Sequence, residues 1–297
     1  MNLAPFSSTF DFSSLVAVRI ETRSETNKVI ETGTGFWFRP SREALYLVTN
    51  WHVVTGRKPQ TPSLSSSGAI PTKLVARVHH EVGPGEINPN QIAELTLPLN
   101  DPTGEAPQWL EHPTLRHRAD VVALRVENIE RFETLAIRAI GDEDIFDRTP
   151  KYIPQVMHDV FVLGYPWGLA GGTPALPIYK KGSIASEPGL SQGGLPRFLI
   201  DCRSARGMSG SPVIASAQVT GAVGKGDEPL LWANAKVFAG IYSGRLTEDE
   251  LQSESTNSAS LRAEALAAIS EIGIVWRRDV LFELIAAPTP GTKLSEI

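Results

Sequence analysis

Short apolar runs, alternating or continuous and bounded by turn-forming residues, dominate the chain from Leu15 onwards. Leu15–Glu21, Gly35–Phe38 and Leu45–Thr49 come first, followed by Lys73–Val78, Ala93–Leu97 and Val121–Val126. A second group comprises Val160–Leu163, Phe198–Asp201, Pro212–Ala215 and Val237–Tyr242. Short runs rich in β-branched and aromatic residues, spaced by turn signals, predict the strands of an all-β sandwich or barrel. No period of roughly 20 to 50 residues repeats, which argues against solenoids and propellers. The clearest helix-like stripe, Val275, Leu281, Phe282 and Ile285, lies within Val275–Ile285, although Ile272–Trp276 fits a strand equally well.

Between these runs, segments 56–72 and 81–92 are rich in Pro, Ser and Gly and read as surface loops. Segment 247–260 is polar and low in complexity, as expected of an insertion. The pattern changes again over Ile140–Pro154, where a crossover between two β-units is expected, and Pro288–Ile297 reads as a tail.

Composition narrows the partners. With 297 residues, 41% hydrophobic and 21% charged, the chain can bury one large core or two smaller ones. A formal charge of -5 with scattered Lys and Arg lacks the basic patch that nucleic-acid binding requires. The single cysteine, Cys202, excludes an internal disulfide and fits a reducing compartment. The N-terminus has neither the basic start nor the apolar run of a secretory signal, and no apolar stretch approaches the roughly 18 residues that cross a bilayer. The expectation is a soluble, cytoplasmic protein without membrane or nucleic-acid partners.

Three local patterns carry chemistry, in the order His, Asp, Ser. A β-type run, Tyr46-Leu47-Val48-Thr49, leads through Asn50 and Trp51 to His52. Asp120 stands at the start of the apolar run Val121-Val122-Ala123-Leu124. Ser209 lies in Arg206-Gly207-Met208-Ser209-Gly210-Ser211-Pro212, a glycine-flanked turn entering a strand. A serine hydroxyl is a poor nucleophile at neutral pH and needs an imidazole to accept its proton. The imidazole in turn needs a carboxylate to fix its tautomer. The backbone N–H groups of Gly207 and Ser209 can supply the donors that a tetrahedral oxyanion requires.

The chain resembles the trypsin-like, chymotrypsin-fold serine peptidases, in particular the disulfide-free bacterial branch that includes the HtrA proteases. Val48-Thr49-Asn50-Trp51-His52-Val53-Val54 is similar to its histidine motif and Asp120-Val121-Val122-Ala123-Leu124 to its aspartate motif. Gly207-Met208-Ser209-Gly210-Ser211-Pro212 matches its nucleophile signature. Gly33-Thr34-Gly35-Phe36, Leu163-Gly164-Tyr165-Pro166-Trp167-Gly168, Gly182-Ser183-Ile184 and Gly240-Ile241-Tyr242-Ser243-Gly244 are similar to further family segments, so the likeness runs over much of residues 15–285.

The resemblance implies two six-stranded antiparallel β-barrels and a short C-terminal helix. After an N-terminal extension, 1–14, it divides the chain into 15–145 with His52 and Asp120, 146–287 with Ser209, and a tail, 288–297. It implies a serine endopeptidase with a His52–Asp120–Ser209 triad, an oxyanion hole at Gly207 and Ser209, and no cofactor or metal. Its expected partner is a polypeptide, such as one dedicated protein; the alternatives are a catalytically silent protein-binding module on the same fold and a hydrolase of small esters.

The resemblance also assigns substrate contacts. Arg203 falls at the base of the specificity pocket, with Ser204 beside it, and Tyr242, Ser243, Gly244 and Arg245 on the strand that pairs with substrate. With no carboxylate there, a basic P1 side chain is disfavoured and an acidic or small neutral one expected. If Arg203 instead faces solvent or pairs with Asp201, Tyr242 makes the pocket shallow and the preference small and neutral.

The stretch between His52 and Asp120 is long for the family, no Ile-Val-Gly-Gly activation sequence is present, and Met208 replaces the aspartate of zymogen-type members. Too few residues follow the peptidase for a PDZ-like module. Cys202 lacks flanking glycines and reads as a buried thiol. Ser211 neighbours Ser209, but the glycines on both sides of Met208-Ser209 select Ser209. Adjacent His79 and His80 would face opposite sides of a strand and read as surface or loop residues rather than metal ligands.

Overall fold

The structure, a computed structural model, describes residues 11–59, 62, 69–83, 86–128, 132–142, 154–219, 233–246, 271–293 and 296. A 3-10 turn, Phe12–Leu15, leads into β1 (Ala17–Arg23), β2 (Val29–Ser41) and β3 (Ala44–Thr49). A single-turn helix, α1 (Trp51–Thr55), precedes β4 (Lys73–Gly83), β5 (Glu86–Pro98), β6 (Leu110–Glu111) and β7 (Val122–Arg125). The second half holds β8 (Asp159–Gly164), β9 (Ile178–Ile184), β10 (Arg197–Asp201), β11 (Pro212–Val219), β12 (Ala233–Arg245) and β13 (Ile272–Arg277). It ends in α2 (Arg278–Ala286) and β14 (Thr289–Pro290).

The second half closes into a six-stranded barrel in the order β10-β13-β12-β11-β8-β9, whereas the first is an open eight-stranded sheet, β14-β6-β7-β3-β2-β1-β4-β5. The expectation of two six-stranded barrels is therefore corrected. Closing the first would require β5 to reach the outer edge of β7. β5 is instead paired along β4 from Lys73↔Pro98 to Gly83↔Glu86. The outer edge of β7 meets β6 at Leu110↔Ala123, and β6 is covered by β14 through Thr289↔Glu111 and Pro290↔Leu110. A strand edge takes one neighbour at a time, so the C-terminal segment occupies the seam. Two further corrections follow: residues 86–92 lie in the β4–β5 hairpin rather than a loop, and the expected tail contributes a strand. Residues 63–68, 143–153 and 247–260, which include most of the expected crossover and the whole polar insertion, lie outside the described residues.

Side-chain alternation explains why the strands of the sheet read as continuously apolar. In β2, β3 and β7, Trp37, Leu45, Leu47, Val122 and Leu124 face the core wrapped by the sheet. Their neighbours Phe36, Phe38, Tyr46, Val48 and Ala123 face a second core, shared with Leu163, Ile214, Ile241 and Trp276 of the barrel and with Val280, Leu281 and Leu284 of α2. Strands buried on both faces lose the polar alternation of a one-sided sheet. The candidate residues stand along this shared seam.

Candidate active site

β3 ends at Thr49, and Asn50 turns the chain into α1. Trp51, Val53 and Val54 of that turn are buried, which leaves His52 facing the cleft with 23% of its side chain exposed. Gly56, at φ +67°, ends the turn by donating its N–H to the His52 carbonyl at 2.8 Å. Trp51 is fixed in turn by its indole N–H, which donates to the buried Glu111 carboxylate at 3.0 Å.

Asp120 sits just ahead of β7 and is almost fully buried. Its Oδ2 lies 2.7 Å from His52 Nδ1, and its Oδ1 accepts the His52 backbone N–H at 2.9 Å. Ser243 also donates its hydroxyl to Oδ2 in a short hydrogen bond. Asn50 holds the loop by donating Nδ2 to the Asp120 carbonyl at 2.6 Å. With Nδ1–H committed to a carboxylate, Nε2 is left as the basic nitrogen. Burial opposes charge on both groups, but their mutual attraction and hydrogen bonding outweigh it. His52 is raised above the ordinary histidine range and Asp120 held below the ordinary carboxylate range.

The Ser209 turn joins β10 to β11. Thr34 of β2 stitches it to the other half: its N–H donates to the Ser209 carbonyl at 2.9 Å and its hydroxyl to the Gly207 carbonyl at 2.8 Å. The same hydroxyl accepts the Tyr165 N–H at 3.1 Å. Two glycines are required. Gly207 at φ +92° and Gly210 at φ +84° occupy left-handed backbone, and a Cβ on Gly210 would strike the Thr34 carbonyl oxygen. A Cβ on Gly207 would lie 2.6 Å from the Tyr165 carbonyl oxygen.

The Arg206 carbonyl accepts the Trp167 N–H at 2.6 Å. In a trans peptide C=O and N–H point oppositely, so the Gly207 N–H is turned to the other side. Among the described residues, neither this N–H nor that of Ser209 donates to a protein acceptor. The Ser209 hydroxyl donates to the Ser243 carbonyl at 3.3 Å, and no hydrogen bond joins it to His52.

The expected substrate contacts divide. Arg203 faces solvent, the second of its two expected placements: its side chain is 83% exposed and lies 3.7 Å from Glu271 rather than by Asp201. Ser204, Tyr242 and Arg245 instead contact one another. The Tyr242 hydroxyl and the Arg245 Nη2 make short hydrogen bonds to Ser204 Oγ and Ser204 O, with Arg245 Nε 3.4 Å from Ser204 Oγ. Tyr242 is buried, its ring in the barrel core. Gly244 and Arg245 pair with Ile274 and Gly273 of β13 on one side, while the β11 register ends at Pro212↔Ile241. The other edge at Ser243–Arg245 thus extends past β11.

Cys202 is buried among barrel side chains, and burial pushes its thiol pKa up. Ser211 is also buried. His79 corrects the surface reading: it is buried on β4, with Nε2 3.4 Å from the Ala175 carbonyl. Sequence reasoning gave no role to Thr34, Asn50 or Trp167. Each lies inside a motif quoted from the sequence, but its contact joins segments far apart in the chain.

Residues 33–223 match the family described as the trypsin-like peptidase domain, about two thirds of the chain. No curated sequence matches. Among solved structures, the chain is similar to a serine endoprotease from Yersinia pestis at 12% identity and a TM-score of 0.46, covering 93% of this chain and 66% of that one. It therefore spans slightly less than two thirds of that relative. It is also similar to the active form of the Rv3671c protease from M. tuberculosis, at 16% identity and a TM-score of 0.46, covering 99% of this chain and 98% of that one. The match over residues 33–223, which spans His52, Asp120 and Ser209, carries the assignment: this chain belongs to the trypsin-like peptidase domain family.

Proposed function

We propose that the protein is a serine endopeptidase that hydrolyses peptide bonds through an acyl-enzyme. The observation that carries this reading is the His52 Nδ1–Asp120 Oδ2 contact of 2.7 Å beside a serine turn whose Gly207 and Ser209 N–H groups are uncommitted. Ser209 Oγ attacks the scissile carbonyl carbon while His52 Nε2 takes its proton. The carbonyl oxygen becomes an oxyanion held by the Gly207 and Ser209 N–H groups. Collapse breaks the C–N bond, and His52 returns the proton to the leaving amine. Water, activated by His52, then releases the acyl group. Asp120 stabilises the imidazolium in both steps. The unpaired edge at Ser243–Arg245 suits an extended polypeptide, and the substrate we favour is a single dedicated protein.

A second reading, a silent or partner-gated member, is favoured by the Ser209 hydroxyl donating to Ser243 rather than to His52. A fluorophosphonate probe with mass mapping separates the two. Adduct on Ser209 together with casein or peptide cleavage, both lost in Ser209→Ala, supports the peptidase. A folded protein with neither supports the silent reading.

A further inference from the structure

We infer that Ser204, Tyr242 and Arg245 form a recognition site for the carboxylate of an Asp or Glu at P1, the residue whose carbonyl is attacked, an inference that rests on the peptidase reading above. The three side chains contact one another, and the strand that carries Tyr242 and Arg245 borders the nucleophile turn through its backbone. Tyr242 exchanges backbone hydrogen bonds with the turn itself, its N–H donating to Ser211 O and its carbonyl accepting from Gly210 N, each at 2.9 Å. The next residue, Ser243, takes the Ser209 hydroxyl on its carbonyl.

The cluster has more donors than acceptors. Tyr242 and Ser204 each carry a hydroxyl proton, and Arg245 carries five N–H protons. Ser204 Oγ receives both Tyr242 and Arg245, and among the described residues the Ser204 hydroxyl donates to no acceptor of its own. Burial pushes the Tyr242 pKa up to about 12, so its phenol remains a donor across the working pH range. A ligand that completes such a cluster brings acceptors only, as a carboxylate does.

Charge points the same way. Arg206 and Arg245 are exposed, and neither has a carboxylate within 4.0 Å among the described residues, whereas Arg203 is engaged by Glu271. A Lys or Arg at P1 would meet like charge, an apolar side chain would leave the cluster's donors unanswered, and a Gln would offer an acceptor without the opposite charge. The role expected of Arg203 thus falls to Arg245, whose guanidinium turns from the Ser204 carbonyl to the incoming carboxylate.

The test compares two peptides identical except for Glu or Gln at P1, a change of charge at nearly constant shape. Wild-type enzyme is expected to favour Glu in kcat/KM by at least about tenfold, and Arg245→Gln to abolish that ratio. Because the ratio is taken within one enzyme, a partly folded variant does not distort it. Equal or better cleavage at Gln by the wild type, or an unchanged ratio in Arg245→Gln, overturns the inference. Labelling of Ser209 by fluorophosphonate with cleavage after other residues refutes the P1 assignment alone. A folded wild type that neither labels nor cleaves refutes the peptidase reading and this inference with it.

Discussion

The backbone N–H of Trp167 donates to the carbonyl oxygen of Arg206 at 2.6 Å, and this bond turns the Arg206–Gly207 peptide so that its own N–H faces away from Trp167. Trp167 makes it from a left-handed conformation, φ +52°, which a bulky residue rarely adopts. Such strain is held in place by its surroundings and tends to gather at functional sites.

Gly207→Ala should therefore be disabling. The new Cβ meets the Tyr165 carbonyl oxygen and forces the peptide to rotate. Loss of one oxyanion donor typically lowers kcat about 10²- to 10³-fold. Steady-state kinetics on a peptide substrate would show this with KM little changed; unaltered kcat would remove Gly207 from the oxyanion site.

Thr34→Val removes the hydroxyl that bridges Gly207 O and Tyr165 N at nearly constant volume. Two buried backbone groups then lose a partner, a cost of about 1–3 kcal/mol each before relaxation. Urea denaturation should give a lower midpoint and peptide kinetics a lower kcat. Wild-type values for both would mean that Thr34 does not tie the two halves at the nucleophile turn.

Neutral His52 is the base, so the rate of fluorophosphonate inactivation should rise with pH through the His52 titration. Burial pulls that pKa down and Asp120 pulls it up more strongly, placing the midpoint above the ordinary value of about 6.5. Asp120→Asn should move the midpoint down and lower kcat by roughly 10⁴. For folding, the raised His52 pKa adds stability that is full below about 6.5 and is lost as pH rises through the folded value. The depressed Asp120 pKa adds stability that is present above about 3.9 and lost as pH falls through its folded value. A midpoint unchanged by Asp120→Asn would break the link between the two residues.

Most strands were legible because short β-branched and aromatic runs between turn signals mark them locally even where both faces are buried, as in Leu45–Thr49 and Val160–Leu163. Closure of the first barrel was not legible, since it depends on which edge captures β7, and that edge went to Leu110 and, through it, Pro290. The β4–β5 pairing was hidden by the polar, Pro- and Gly-containing composition of segment 81–92, which also marks loops. In the site, His52, Asp120 and Ser209 each stand in a local motif. The hydroxyl of Ser243 on Asp120 does not, because that contact spans two halves of the chain. Position before the serine left open which way the Arg203 side chain turns, and it turns to solvent.

The most direct test of the central claim is kcat/KM for Ser209→Ala, His52→Ala and the double variant on one peptide substrate. Residues that act as a unit lose together: each single change should cost on the order of 10⁶ in kcat, and the double almost nothing further. Losses that add, or a Ser209→Ala enzyme that keeps substantial activity, would contradict the assignment of Ser209 and His52 to one catalytic unit.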